Sequence, residues 1–168
     1  MKKTVLMLFC AVICVCPAWS QAALSGTDQQ FANTAAQTDM LEAHMGQVAQ
    51  EKSSNQGIKD FAQMLVTDHT NDYQQLSTIV KKDSGTVPNG LDAARNRMIA
   101  PFEKLKGPAF DRRFLQDMVA GHQKAIAEYE REAKDGQNPD LKSYANQALP
   151  TLHKHLDTAR DLEKHKGK

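Results

Sequence analysis

Apolar residues recur at three- and four-residue intervals through four long segments of this chain, the spacing that lines one face of an α-helix. The first stripe runs through Phe31, Ala35, Leu41, Met45 and Val48, and the second through Ile58, Phe61, Leu65, Leu76 and Ile79. The third carries Phe110, Phe114, Met118 and Ala125, and the fourth Leu141, Ala145, Leu152 and Ala159. End signals bound each segment. Thr27 with Gln30 forms a capping-box pattern ahead of a helix over about 28–53. Asn55 caps a second helix that runs to about Asp83 and stops at Gly85. Pro108 at the first helical position and Asp111 in the first turn open a third, which Gly136 ends. Asn138 and Pro139 open a fourth in the same way, and it runs to about His165. Residues 84–107 hold the turn-rich "SGTVPNG" and a shorter helical stretch that Pro101 is expected to break.

Connection length sets topology. The two outer connections are short, so each joins an antiparallel pair. The long middle one lets the third helix run parallel to the second. The pattern therefore predicts an all-α fold, a ferritin-like antiparallel four-helix bundle with a partly helical crossover between its second and third long helices. Its domain is expected over 27–165, with 166–168 as a frayed tail.

Each apolar stripe is interrupted once near its centre, by Glu42, His69, His122 and His155. Counted from the tight turns, Glu42 and His69 differ by about 3 Å in height, at about 1.5 Å per residue. The same count leaves His122 and His155 about one turn apart, with Pro150 expected to kink the fourth helix between them. Three imidazoles and a carboxylate suit a divalent transition metal, Zn or Cu first among them. Asp39, Asp68 and Asp72 lie near enough in sequence to orient an imidazole. No Glu-x-x-His occurs, so the di-iron ligand set of ferritin-like bundles is absent. A second reading stays open. Three of the six histidines fall on the stripes, as the width of a stripe alone would give. The four groups can equally form a buried hydrogen-bond network that fixes helix register. His44 and His165 read as surface residues, the His153/His155 pair cannot chelate jointly because i and i+2 diverge on a helix, and the scattered methionines read as packing.

The start of the chain changes the picture of where this bundle works. Lys2 and Lys3, the run "TVLMLFCAVICVC" and the small residues of "PAWSQAA" have the layout of a secretory signal peptide over 1–22, removed after Ser20 or Ala22. Export to the periplasm of a Gram-negative bacterium is expected, with no transmembrane segment in the mature chain. Cys10, Cys14 and Cys16 all lie in that leader, so no disulfide, thiolate site or haem c attachment is expected after its removal. Removing Lys2 and Lys3 from the 21 basic residues leaves 19 against 20 acidic ones. Without a basic patch, a nucleic-acid partner is not expected. No P-loop, dinucleotide fingerprint, nucleophile elbow or HExxH is present. Hence no nucleotide cofactor and no enzymatic activity is expected.

The segments "MLEAHMGQVAQEKSSNQGIKDFAQMLVTDHT" and "FDRRFLQDMVAGHQKAIAEYEREAKDGQNPDLKSYANQALPTLHKHLDTA" resemble the two halves of a bacterial secreted family, domain of unknown function 4142. The resemblance spans about 27–162, and "TDHT" and "LPTLHKHL" are its most specific parts. It implies a ferritin-like bundle, export, and recurring polar positions at Glu42, Asp68, His69, His122 and His155; it supplies no activity. His44 departs from the family, which has an acidic or other polar residue there. Together these readings describe an exported, non-catalytic bundle whose Glu/His cluster binds a transition metal in envelope stress or metal homeostasis. The alternative is an interaction module, docking an envelope protein or a second copy, whose cluster is only structural.

Overall fold

The structure, a computed structural model, describes residues 23–165. The expected signal peptide and the tail 166–168 lie outside the described residues. Five helices follow one another: α1 (Gly26–Lys52), α2 (Gln56–Lys82), α3 (Ala93–Lys104), α4 (Gly107–Asp135) and α5 (Pro139–Lys164). No helix among the described residues is long and apolar enough to cross a membrane.

The helix ends follow the chemistry of their caps. Asn55 and Asn138 each accept a hydrogen bond from the backbone N–H three residues on, at 3.2 and 3.0 Å. At α1 the cap is Ser25 rather than Thr27. Ser25 Oγ accepts from the Asp28 N–H at 3.1 Å, and Thr27 turns its hydroxyl onto Ser25 instead. The earlier start has a tertiary cause: it sets Asp28 where its two carboxylate oxygens accept from the backbone N–H groups of Gln137 and Asn138, at 2.9 and 3.1 Å. Pro101 does not break α3. The carbonyl it deprives of a partner is that of Arg97, an exposed residue, where water can serve. The α5 helix likewise continues through Pro150.

Contacts at one end of the bundle fix the direction of every long helix. Besides Asp28, the α4–α5 turn engages the end of α2, where Asn138 Nδ2 donates to Asp83 Oδ2 at 2.6 Å. The starts of α1 and α5 therefore meet the ends of α2 and α4, so α2 and α4 run parallel. The crossover climbs back along α1. Gln37, buried in α1, donates to the Gly90 carbonyl at 2.7 Å and accepts from the Asp92 N–H at 2.8 Å. Farther up, His44 meets Glu103 at 3.0 Å and Lys52 reaches the Glu103 carbonyl.

The core forms two apolar clusters. One gathers Phe31, Leu76, Val80, Tyr129, Tyr144 and Leu152; the other gathers Ile58, Phe61, Leu65, Phe110, Phe114 and Met118. Glu42, His69, His122 and His155 lie between them along their helices and form a polar layer across the bundle. The α1 and α2 helices pack closely at Gly46, where a Cβ would come within 2.9 Å of the Ala62 carbonyl oxygen and of Val66 Cγ2.

Candidate metal centre

Four helices each send one side chain into the polar layer, and the way helical side chains lean brings them together. Side chains tilt toward the N-terminus of their own helix. His122 is 13 residues from the end of α4 and His155 is 16 from the start of α5, so their Cα atoms are offset by about 4–5 Å. Because the helices are antiparallel, the two rings lean toward each other and close that offset. Their facing nitrogens, His122 Nε2 and His155 Nδ1, are 3.1 Å apart. Glu42 and His69 close a similar offset on the other pair. The one-turn mismatch expected from residue counting is thus absorbed by side-chain direction.

The donors converge. Glu42 Oε2 lies 2.9 Å from His69 Nε2 and 3.2 Å from His122 Nε2. Ring centroids of the three imidazoles are 5.2–5.6 Å apart, close to the spacing of rings that share one tetrahedral ion. All four side chains are buried. A tetrahedron with metal–ligand bonds of about 2.0–2.1 Å has edges of about 3.3–3.4 Å. The three separations fall a few tenths of an ångström below that, so a small outward adjustment fits the group to an ion.

The outer nitrogen of every ring faces an acceptor. His69 Nδ1 meets Asp39 Oδ1 at 3.0 Å, His155 Nε2 meets Asp68 Oδ2 at 2.9 Å, and His122 Nδ1 meets the Met118 carbonyl at 2.9 Å. With each outer N–H donated to its acceptor, the inner nitrogens are the ones left to meet an ion, and a bound ion would take the place of the protons shared among them and Glu42. Glu42 Oε2 and His69 Nε2 form a buried ion pair at 2.9 Å whose angle is poor for a hydrogen bond, so each retains electrostatic demand that a cation between them would meet.

Electrostatics follow from this crowding. Burial alone would raise the Glu42 carboxyl, but the imidazoles of His122 and His69 outweigh it and hold it below its usual range. Burial would lower His69, yet the carboxylates of Glu42 and Asp39 carry it up to about 10. Burial pushes Asp39 up to about 6 against the pull of His69. His122 and His155 go the other way. Burial lowers His122 despite Glu42; burial, with the His69 charge, lowers His155 to about 4 despite Asp68. At neutral pH the layer holds one imidazolium, one carboxylate and two neutral rings.

Room for the carboxylate comes from α4. A Cβ on Gly121 would sit 2.8 Å from Glu42 Oε1. Of the residues singled out in the sequence, Asp39 and Asp68 orient rings of the layer. Asp72 stands with Asp39 and His69 in a group whose donor atoms lie within 4.8 Å of one another. Sequence reasoning missed Gly121 and the Met118 carbonyl. A main-chain acceptor leaves no side-chain signal, whereas a glycine next to a histidine on a buried stripe is one.

The family described as Domain of unknown function (DUF4142) matches residues 16–162. This chain belongs to that family. The DUF4142 fold is shared more widely. A DUF305 fragment from Deinococcus radiodurans aligns with a TM-score of 0.74 at 17% identity, covering 84% of this chain and 98% of that one. CopM in its Cu(I)-bound form aligns at 0.70 and 16% identity, covering 86% and 100%. A dodecameric thioferritin from Bacteroides fragilis, described as bacterioferritin-related, aligns at 0.64 and 17%, covering 82% and 83%. At these identities the likeness is one of fold. No match was found among curated proteins.

Proposed function

We propose that this chain is a non-catalytic metal-binding bundle of the cell envelope, which holds a divalent transition metal, Zn2+ or Cu2+, between Glu42, His69, His122 and His155. The carrying observation is the arrangement of the donor atoms: three rings have their outer nitrogens facing acceptors, and their inner nitrogens converge with a buried carboxylate. Four protein donors fill a tetrahedral shell, which suits retention rather than turnover at an open coordination position. An ion displaces the proton from His69, so uptake releases a proton. Support from outside the chain is the fold of CopM, whose structures carry Cu(I), Cu(II) or Ag. The leader-like residues 1–22 support the envelope setting, and metal homeostasis or envelope stress is the physiological role we assign.

The test is metal content and uptake. Purified protein is analysed by elemental mass spectrometry, and apo protein is titrated with Zn2+ and Cu2+ beside His69→Ala and His122→Ala. The proposal expects uptake that both substitutions reduce by at least a hundredfold. One observation favours a second reading. His69 lies 2.9 and 3.0 Å from two buried carboxylates, which is also the geometry of a charge network that locks α1 to α2. Should wild type take up metal no better than the two variants while the variants lose melting temperature, that network is the function of the layer.

A further inference from the structure

His69 has two faces, and the outer one opens toward the surface. A groove of about 320 Å3 runs between α1 and α2, lined by Asp39, Met40, His44, His69 and Tyr73 among others. Two of its lining residues, Asp39 and His69, stand with Asp72, which does not itself line the groove, in a group whose donor atoms all lie within 4.8 Å of one another. One of these carboxylates is unfinished. Asp39 Oδ1 takes the His69 Nδ1–H, but Asp39 Oδ2 is buried with no hydrogen-bond partner, on a side chain only 2% exposed. A buried carboxylate oxygen without a donor is costly to keep. The second carboxylate, Asp72, is half-buried beside it, and two acidic groups so close raise each other's energy unless a cation joins them.

We propose that this three-residue group beside the groove is a second cation site, in which Asp39, Asp72 and the outer nitrogen of His69 hold a divalent ion, so that His69 is shared between an inner and an outer ion. The inference rests on the central site proposed above and adds a loading position beside it, nearer the surface through the half-buried Asp72. Two carboxylates and one imidazole suit Zn2+ or Cu2+ and disfavour soft Cu+. When His69 ligates on both sides it is an imidazolate. The proton of Nδ1 then passes to solvent, Asp39 Oδ1 loses that hydrogen bond, and both Asp39 oxygens face the ion. The outer ion is the weaker bound, because one of its ligands, Asp72, is only half-buried.

The experiment counts ions and reads their coupling. Apo protein is titrated with Zn2+ by calorimetry and with Cu2+ under electron paramagnetic resonance, using wild type, Asp72→Asn and His122→Ala, with circular dichroism to show that each is folded. We expect two Zn2+ per wild-type chain in a tight and a weak step. Asp72→Asn keeps the tight step and loses the weak one. With Cu2+, the second equivalent diminishes the resonance signal of the first through the shared ring, and in Asp72→Asn the signal of one equivalent persists unchanged. One ion per wild-type chain, lost in His122→Ala, overturns the outer site and leaves the central one standing; no uptake at all overturns both. Two ions retained by Asp72→Asn, or two uncoupled Cu2+ signals, also overturn the proposal.

Discussion

Gly121→Ala is the sharpest perturbation of the centre, because it adds one methyl group and removes no donor. The new Cβ would lie 2.8 Å from Glu42 Oε1, about 0.6 Å inside the start of ordinary van der Waals contact, so the carboxylate must move by about that much. Glu42 is 3% exposed and Oε2 belongs to the same rigid carboxylate, so the displacement carries over to the atom that faces the rings. A ligand held worse than about 0.5 Å loses its function in a preorganised site. We expect metal affinity to fall at least tenfold, about 1.4 kcal/mol or more. Folding stability should respond differently. Ala in place of Gly inside a helix gains about 1 kcal/mol, which offsets the strain of the contact, so the apo melting temperature should stay within about 5 °C of wild type. Gly46→Ala is the control, since it strains the α1–α2 contact against backbone and touches no donor. It should lower the melting temperature and leave the affinity of correctly folded protein within about twofold. Competition titration with a chromophoric chelator, together with thermal denaturation, reads both quantities. If Gly121→Ala binds as wild type does, Glu42 is not a ligand.

Asp68→Asn weakens the anchor on His155 Nε2 and should cost ten- to a hundredfold in affinity, measured in the same titration; an unchanged value would show that the ring is held by packing alone. Burial and the nearby Asp28 carboxylate push Glu132 up to about 7. The folded value therefore lies above the unfolded one, the native state binds more protons between about pH 4.5 and 7, and stability falls as pH rises through that window. Melting curves of Glu132→Gln across that range should show a shallower decline than wild type, and parallel curves would refute the assignment. Gln37→Ala removes both bonds that hold the crossover at Gly90 and Asp92 and should cost about 1–3 kcal/mol; hydrogen exchange should quicken in 84–104 before it does elsewhere.

Much of this molecule was written in its periodicity. The stripes and the caps at Asn55 and Asn138 placed the long helices, and connection lengths gave their directions. What was not legible depended on partners far away in the chain. Ser25 displaced Thr27 as cap because Asp28 is needed by the α4–α5 turn more than a hundred residues on. Pro101 was tolerated because the carbonyl it frees is solvated, a fact of exposure and not of local pattern. The polar layer was readable as one interruption per stripe. Which aspartate serves which ring was not: Asp68 and Asp72 sit one turn apart on one face of α2, yet it is Asp68 that reaches the α5 ring, while the acceptor for His69 is Asp39 from α1.

The two antiparallel pairs divide the centre evenly. The α1–α2 hairpin contributes Glu42 and His69 and the α4–α5 hairpin contributes His122 and His155, so neither holds more than half of a tetrahedral shell. An ion at this point is a rivet through two leaves. Part of its binding energy would go into keeping the hairpins docked, beside the apolar clusters that already join them, and opening the bundle along that seam would release it. Metal retention and the joint between the hairpins are then one equilibrium, and whatever pries the pairs apart, whether a partner, a protease or heat, also empties the site.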